Sequence, residues 1–190
     1  MKTIGPAKEK DLPGVLKLFR RVNAQLVAEG NLMWSDGYPS DEVFADDIAN
    51  QCLYIVKEGT RVLAMGSVSH DLTDDFFNET HSQKKTQEIL DLIKWEGEPI
   101  CLLHRFMADP AYWGKGVAAE LWDYLARRYK GSLWVLAAYC GNEKAIAFYT
   151  KHSFTNHGIY KDFEWGRHSI QNILSKRPIK EGLCRGLHES

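Results

Sequence analysis

The sequence predicts a single α/β domain with a mixed central sheet and helices on both faces. Three observations lead there. The chain has 190 residues, 44% hydrophobic and 26% charged, enough for one domain with a sizeable core. Strand-like and helix-like patterns alternate along it. The stretch Ile100–Lys130 reads as a strand running through a glycine turn into an amphipathic helix.

Taken in order, Thr3-Ile4 begins a short first strand. Asp11 is a candidate N-cap, with Pro13 tolerated in the first turn. Val15, Leu18, Phe19, Val22 and Leu26 recur at helical spacing, and the helix fades near Glu29-Gly30. Residues 30–40, GNLMWSDGYPS, form a loop rich in breakers that carries Trp34 and Tyr38. Trp34 either lines a binding cleft or plugs the core. Ser40 caps a second helix with Asp41 and Glu42 in its first turn and Phe44 and Ile48 inward. Leu53–Lys57 and Val62–Ser69 read as a hairpin turning at Glu58-Gly59. Residues 71–97 are the least regular part, either a binding loop or a surface excursion, with a short helix before Trp95.

From Ile100 to Ala108 both alternating faces are mostly apolar, as in a strand covered on both sides. Strict alternation puts Ile100, Leu102, Phe106 and Ala108 on one face and Cys101, Leu103 and Met107 on the other. Asp109-Pro110 ends the strand, because proline cannot donate to a ladder. Trp113-Gly114-Lys115-Gly116-Val117-Ala118 then opens a helix. Such a turn builds an anion site: the first helical N–H groups lack acceptors, the dipole adds positive charge, and glycines let a phosphate approach. The same pattern is also met in ordinary tight turns. It fits neither GxxxxGK[ST] nor, with Ala119 in the last position, a strict GxGxxG. Leu133–Ala138 is a further strand, Asn142 caps the next helix, and two closing strands follow near residues 154–160 and 169–174. Residues 1–175 make the domain, and the polar 176–190 read as a loosely attached tail.

Lys plus Arg number 24 against 25 Asp plus Glu, a net charge of −1 that argues against nucleic acid as a partner. No apolar run is long enough to span a membrane, and the N-terminus lacks a signal-peptide core. None of Cys52, Cys101, Cys140 and Cys184 shows CxxC spacing. Free thiols in a reducing cytoplasm are expected, and no metal.

Two spaced motifs resemble the GNAT superfamily of acetyl-CoA-dependent N-acetyltransferases. Residues 113–118 match its [QR]-x-x-G-x-[GA] motif except that Trp113 holds the first position. Asn142, Ala145, Phe148, Tyr149, Lys151 and Phe154 match N-x-x-A-x-x-[FY]-Y-x-K-x-G-F, with Ser153 where glycine is usual. The resemblance implies a sheet splayed in the middle. It implies amides from Trp113, Gly114, Lys115, Gly116, Val117 and Ala118 on the CoA pyrophosphate, and Met107, Ala108 and Asn142 on the pantetheine arm. Tyr149 would protonate the leaving thiolate, although a core tyrosine also fits its helix position. His104 is either a base for the acceptor amine or a hydrogen-bonded core histidine. Arg105, on the opposite face, joins Trp34 and Tyr38 as candidates for the acceptor side. Glu79, Glu96 and Glu98 are further candidate bases.

The expected reaction is direct acetyl transfer from acetyl-CoA, the co-substrate, to a primary amine of a small molecule or peptide. The rival is a non-catalytic acyl-CoA sensor or scaffold module of the same fold. The resemblance also allows a homodimer. If Ser153 must take a positive φ, an altered turn or a strained residue is expected there.

Overall fold

The computed structural model describes residues 1–31, 33–34, 37–70, 82–161 and 170–178. Seven strands make one sheet: β1 (Lys2–Pro6), β2 (Leu53–Glu58), β3 (Arg61–Ser69), β4 (Ile100–Ala108), β5 (Leu133–Tyr139), β6 (Thr155–Lys161) and β7 (Ile170–Lys176). Their order is β1-β2-β3-β4-β5-β7-β6. All neighbours are antiparallel except β4 and β5, so the sheet is mixed. Among the described residues, five α-helices cover it: α1 (Leu12–Ala28), α2 (Asp41–Ala49), α3 (Ser82–Leu92), α4 (Val117–Arg128) and α5 (Glu143–Lys151).

The core divides by face. On one, Leu121, Trp122 and Leu125 of α4 pack with Tyr149 of α5 against Val56, Leu63, Cys101 and Leu136 of the sheet. On the other, Val15, Leu18 and Val22 of α1 and Phe44 of α2 pack against Ile55, Met65 and Met107. A third cluster joins Ile89 of α3 and Ile93 to Leu102 and Leu133. The apolar stripes at helical spacing are therefore the buried faces. Cys52, Cys101 and Cys140 are free thiols.

Three local expectations need correction. Asp11 does not cap α1: its carboxylate accepts from the Lys8 amide at 3.0 Å and pairs with Lys57 of β2 at 2.5 Å. Ser40 takes the extended N-cap conformation of α2 but makes no side-chain cap bond. The strict alternation of β4 also fails. Phe106 and Ala108 join Cys101 and Leu103 in the α4-side cluster, whereas Leu102 packs with Ile89. The cause is a bulge: Met65 pairs with Met107 but Ser67 with His104, so two residues of β4 oppose Gly66 alone. Arg105 there has φ 49°, and every side chain beyond it changes face.

Glu79, one of the candidate bases, lies outside the described residues, as do residues 179–190 of the expected tail. The tail's first residues are anchored. Lys176 ends β7, and Arg177 ion-pairs with Glu98 and donates to the Ile93 and Lys94 carbonyls.

Candidate active site

Strands β4 and β5 pair only from Ile100–Leu102 to Leu133–Val135 and then part. Each keeps its outer partner to the end, β4 through Ala108 with Ala64 and β5 through Tyr139 with Gln171. The gap opens into a cleft of about 520 Å³ lined by Phe106, Met107 and Ala108 of β4, the glycine turn, the start of α4, and α5. Val22, Leu26 and Trp34 form the opposite wall. The Asp109 amide donates to the Leu63 carbonyl of β3 at 2.8 Å. Backbone groups alternate sides along a strand, so the Ala108 amide faces the gap and the Met107 backbone faces β3.

The turn at the cleft's rim is conformationally special. Gly114 and Gly116 have φ of 72° and 82°, a region that side chains other than glycine's occupy at a cost. Beyond the adjoining residues, no atom lies within 4 Å of where a Cβ would sit on either, so both backbones stand open. The Glu120 amide donates to Gly116 at 2.9 Å, which leaves Val117, Ala118 and Ala119 as the first-turn donors of α4. Two of the expected six amides are not available. Trp113 donates to Pro110 at 3.2 Å and Lys115 to Tyr112 at 3.1 Å, because a 3-10 turn, Pro110–Tyr112, precedes the glycines. The nest is therefore built from Gly114, Gly116 and the first turn of α4. A diphosphate fits it: open glycine backbone, unshared amides and a helix N-terminus converge.

Trp113, the departure from the motif, has a structural task. Its indole Nε1 donates to the Ala108 carbonyl at 2.9 Å and ties the turn to the end of β4. Lys144 sits over the Trp113 ring at 4.6 Å and reaches Glu29 at 2.7 Å, bridging α5 to the end of α1 across the cleft. Lys115 lies outside the lining, with its ammonium 5.4 Å from the Tyr112 ring centroid.

Tyr149 lines the cleft yet is only 6% exposed, packed against Phe106 and Phe154. Burial pushes its phenol above the ordinary tyrosine range, so it is a proton carrier at neutral pH. The end of α5 holds it in place. The Phe154 amide donates to the Tyr149 carbonyl and the Ser153 amide to Thr150, both at 3.0 Å. That is a Schellman C-cap, whose C′ residue takes a left-handed conformation. Ser153 does so at φ 66°, as its place in the motif led one to expect. Asn142 accepts from the Ala145 amide at 3.2 Å, capping α5 while lining the cleft.

Of the acceptor-side candidates, Trp34 both lines the cleft and packs on Phe19, ring centroids 5.7 Å apart. His104, Arg105 and Tyr38 are not in the lining. His104 is 6% exposed. Arg105 makes a bidentate pair with Asp47 at 2.8 and 2.7 Å and donates to the Tyr38 hydroxyl at 2.7 Å. Glu98 engages Arg177 and, with Glu96, sits just before β4, at the end of the strand away from the cleft. Lys144 and His152 of the lining were not singled out in the sequence, and Lys151 only as a position of the second motif, with no role in the cleft. The His152 Nδ1–H donates to the Phe148 carbonyl at 2.8 Å.

Known proteins share this fold. The family model for acetyltransferases of the GNAT family matches residues 23–154. A GNAT-family acetyltransferase from Streptococcus agalactiae superposes with a TM-score of 0.73 at 18% identity, covering 94% of this chain and 96% of its own. The ribosomal-protein-S18-alanine N-acetyltransferase of Escherichia coli gives 0.58 at 15%, covering 92% and 91%. The PaiA N-acetyltransferase of Thermoplasma acidophilum, solved in complex with coenzyme A, gives 0.60 at 13%, covering 93% and 99%. No curated protein sequence matches the chain. With the family model spanning more than half of the sequence, the chain belongs to the GNAT family of acetyl-CoA-dependent N-acetyltransferases.

Proposed function

We propose that the protein transfers acetyl from acetyl-CoA directly to a primary amine of a small-molecule or peptide acceptor, with Tyr149 as the general acid. The observation that carries this is the parting of β4 and β5 above a glycine nest, with a buried phenol in the same cleft. Acetyl-CoA supplies an activated thioester. Gly114, Gly116, Val117 and Ala118 offer amides to its diphosphate, and the gap edge of β4 offers the Ala108 amide to the pantetheine arm or the thioester oxygen. Lys144 and Lys151 add positive charge to the lining.

The chain's own part in the chemistry is positioning and one proton. The C–N bond forms as the C–S bond breaks, the departing thiolate takes the Tyr149 proton, and the acylated nitrogen gives up its surplus proton to solvent, from which the Tyr149 phenolate is reprotonated. A phenol raised by burial is a donor here, never a base at neutral pH. The apolar wall of Val22, Leu26 and Trp34 excludes water from the reacting end.

The test is thiol release from acetyl-CoA with a panel of amines. The wild type is expected to turn over at least one of them, and Tyr149→Phe to lower kcat about 100-fold with little change in KM. Tight CoA binding without turnover of any amine above the Tyr149→Phe background overturns this reading.

A further inference from the structure

A cluster outside the cleft has the marks of machinery. Asp47 of α2 is 6% and Arg105 of β4 7% exposed, and their bidentate pair is buried. The Asp47 carboxylate also accepts from the Ser67 hydroxyl of β3 at 2.5 Å and, through Oδ1, from the Cys52 thiol at 3.5 Å. Arg105 in turn donates to the Tyr38 hydroxyl of the 30–40 loop. One carboxylate thus connects α2, the segment before β2, β3, β4 and the loop that carries Trp34.

The cluster sits on the bulge of β4. An arginine has no intrinsic reason to adopt φ 49°, so the surroundings must over-determine it. The planar guanidinium fork, gripped by two carboxylate oxygens, supplies that constraint. The next residue, Phe106, is thereby turned into the cleft, onto Phe148 and Tyr149, centroids 5.6 and 6.1 Å away. Its ring covers Gly66, where an added Cβ would meet it at 2.6 Å, so no side chain fits opposite the bulge. Losing the bulge would slip the register by one residue, turn Phe106 away from Tyr149 and re-aim the Ala108 amide.

We propose that Asp47 and Arg105 are positioning residues: their pair locks the β4 bulge and, through Tyr38, the Trp34 loop, and so sets both walls of the coenzyme cleft. This rests on the assignment of the cleft to CoA. Neither residue touches the ligand. Their effect passes through Phe106, Ala108 and Trp34.

Calorimetric titration with CoA tests this without knowledge of the acceptor. Wild type, Asp47→Asn, Arg105→Lys and a control, Phe44→Leu, are compared after circular dichroism confirms folding. Phe44 is buried in the same helix but lies outside the cluster. Asp47→Asn is expected to weaken CoA binding roughly tenfold and Arg105→Lys by a similar factor, since lysine lacks the fork. Phe44→Leu is expected to lower the melting temperature with CoA affinity within about twofold of wild type. Should Asp47→Asn not fold, Arg105→Lys decides. Affinity unchanged in the folded variants, or lost equally in the control, overturns the inference. If wild type itself fails to bind CoA, it is the functional reading that fails.

Discussion

Ser153 and Tyr149 show how single residues are decided by their neighbours. Ser153 holds the left-handed C′ position of the Schellman cap that fixes Tyr149. Glycine adopts that conformation without the Cβ clash. Ser153→Gly is therefore expected to stabilise the protein by about 1 kcal/mol, read as a melting temperature raised by a few degrees. No gain would mean that the serine's backbone is unstrained there. Tyr149 shows the converse: a phenol is protonated at neutral pH wherever it sits, and burial extends that protonated range further into alkali. The rate is accordingly expected to hold into the alkaline range where an exposed tyrosine would ionise, and to lose its tyrosine-dependent limb in Tyr149→Phe.

Strand β4 and the turn after it form the element on which the site depends. Asp109 joins them. Its carboxylate is 2% exposed, accepts from the Ala111 amide at 3.1 Å, and pairs with Arg21 of α1 and Arg61 of β3, both at 2.9 Å. Burial pushes this carboxyl up, but the Arg61 hydrogen bond, the Ala111 amide and the nearby guanidinium charges outweigh it and hold the acid below its ordinary range. A depressed folded-state pKa adds stability above the unfolded value, near 4, that is lost as pH falls through the folded one. Urea midpoints should fall between pH 5 and about pH 3 in the wild type, and less steeply in Asp109→Asn. At neutral pH that variant should be less stable by about 1–3 kcal/mol. An equal acid slope in both proteins would remove Asp109 from this role.

For the whole molecule, net charge hides the relevant distribution. The chain carries −1 overall, yet the charged groups among the described lining residues are Lys144, itself paired with Glu29 across the cleft, and Lys151, with His152 beside them. An anionic coenzyme is drawn to such a concave cationic surface. CoA affinity should fall with rising salt, and Lys144→Ala should weaken it by roughly threefold and flatten the salt dependence. Titrations at two ionic strengths read both. A salt dependence unchanged by the substitution would place the attraction elsewhere. Among the described residues no helix is long and apolar enough to cross a membrane.

Much of this was legible from local pattern. The boundaries of β4 match the expected strand, the glycine turn opens α4 where the spacing requires, Asn142 caps α5, and Ser153 takes the positive φ its place implies. These features depend on residues close in sequence: periodicity, caps and backbone sterics act over one or two turns. The bulge was not legible. Nothing local makes Arg105 left-handed. Its partner Asp47 lies 58 residues away, on a helix whose polar positions look solvated. Nor did spacing show that Phe106 would share a face with Cys101, that Lys144 would bridge the cleft to Glu29, or that Glu98 would be committed to Arg177. Sequence alone determined which elements form and where the anion nest lies. Only the packed sheet decided which side chains face the cleft, because a bulge in β4, at the residue that pairs with distant Asp47 of α2, resets the alternation of that strand.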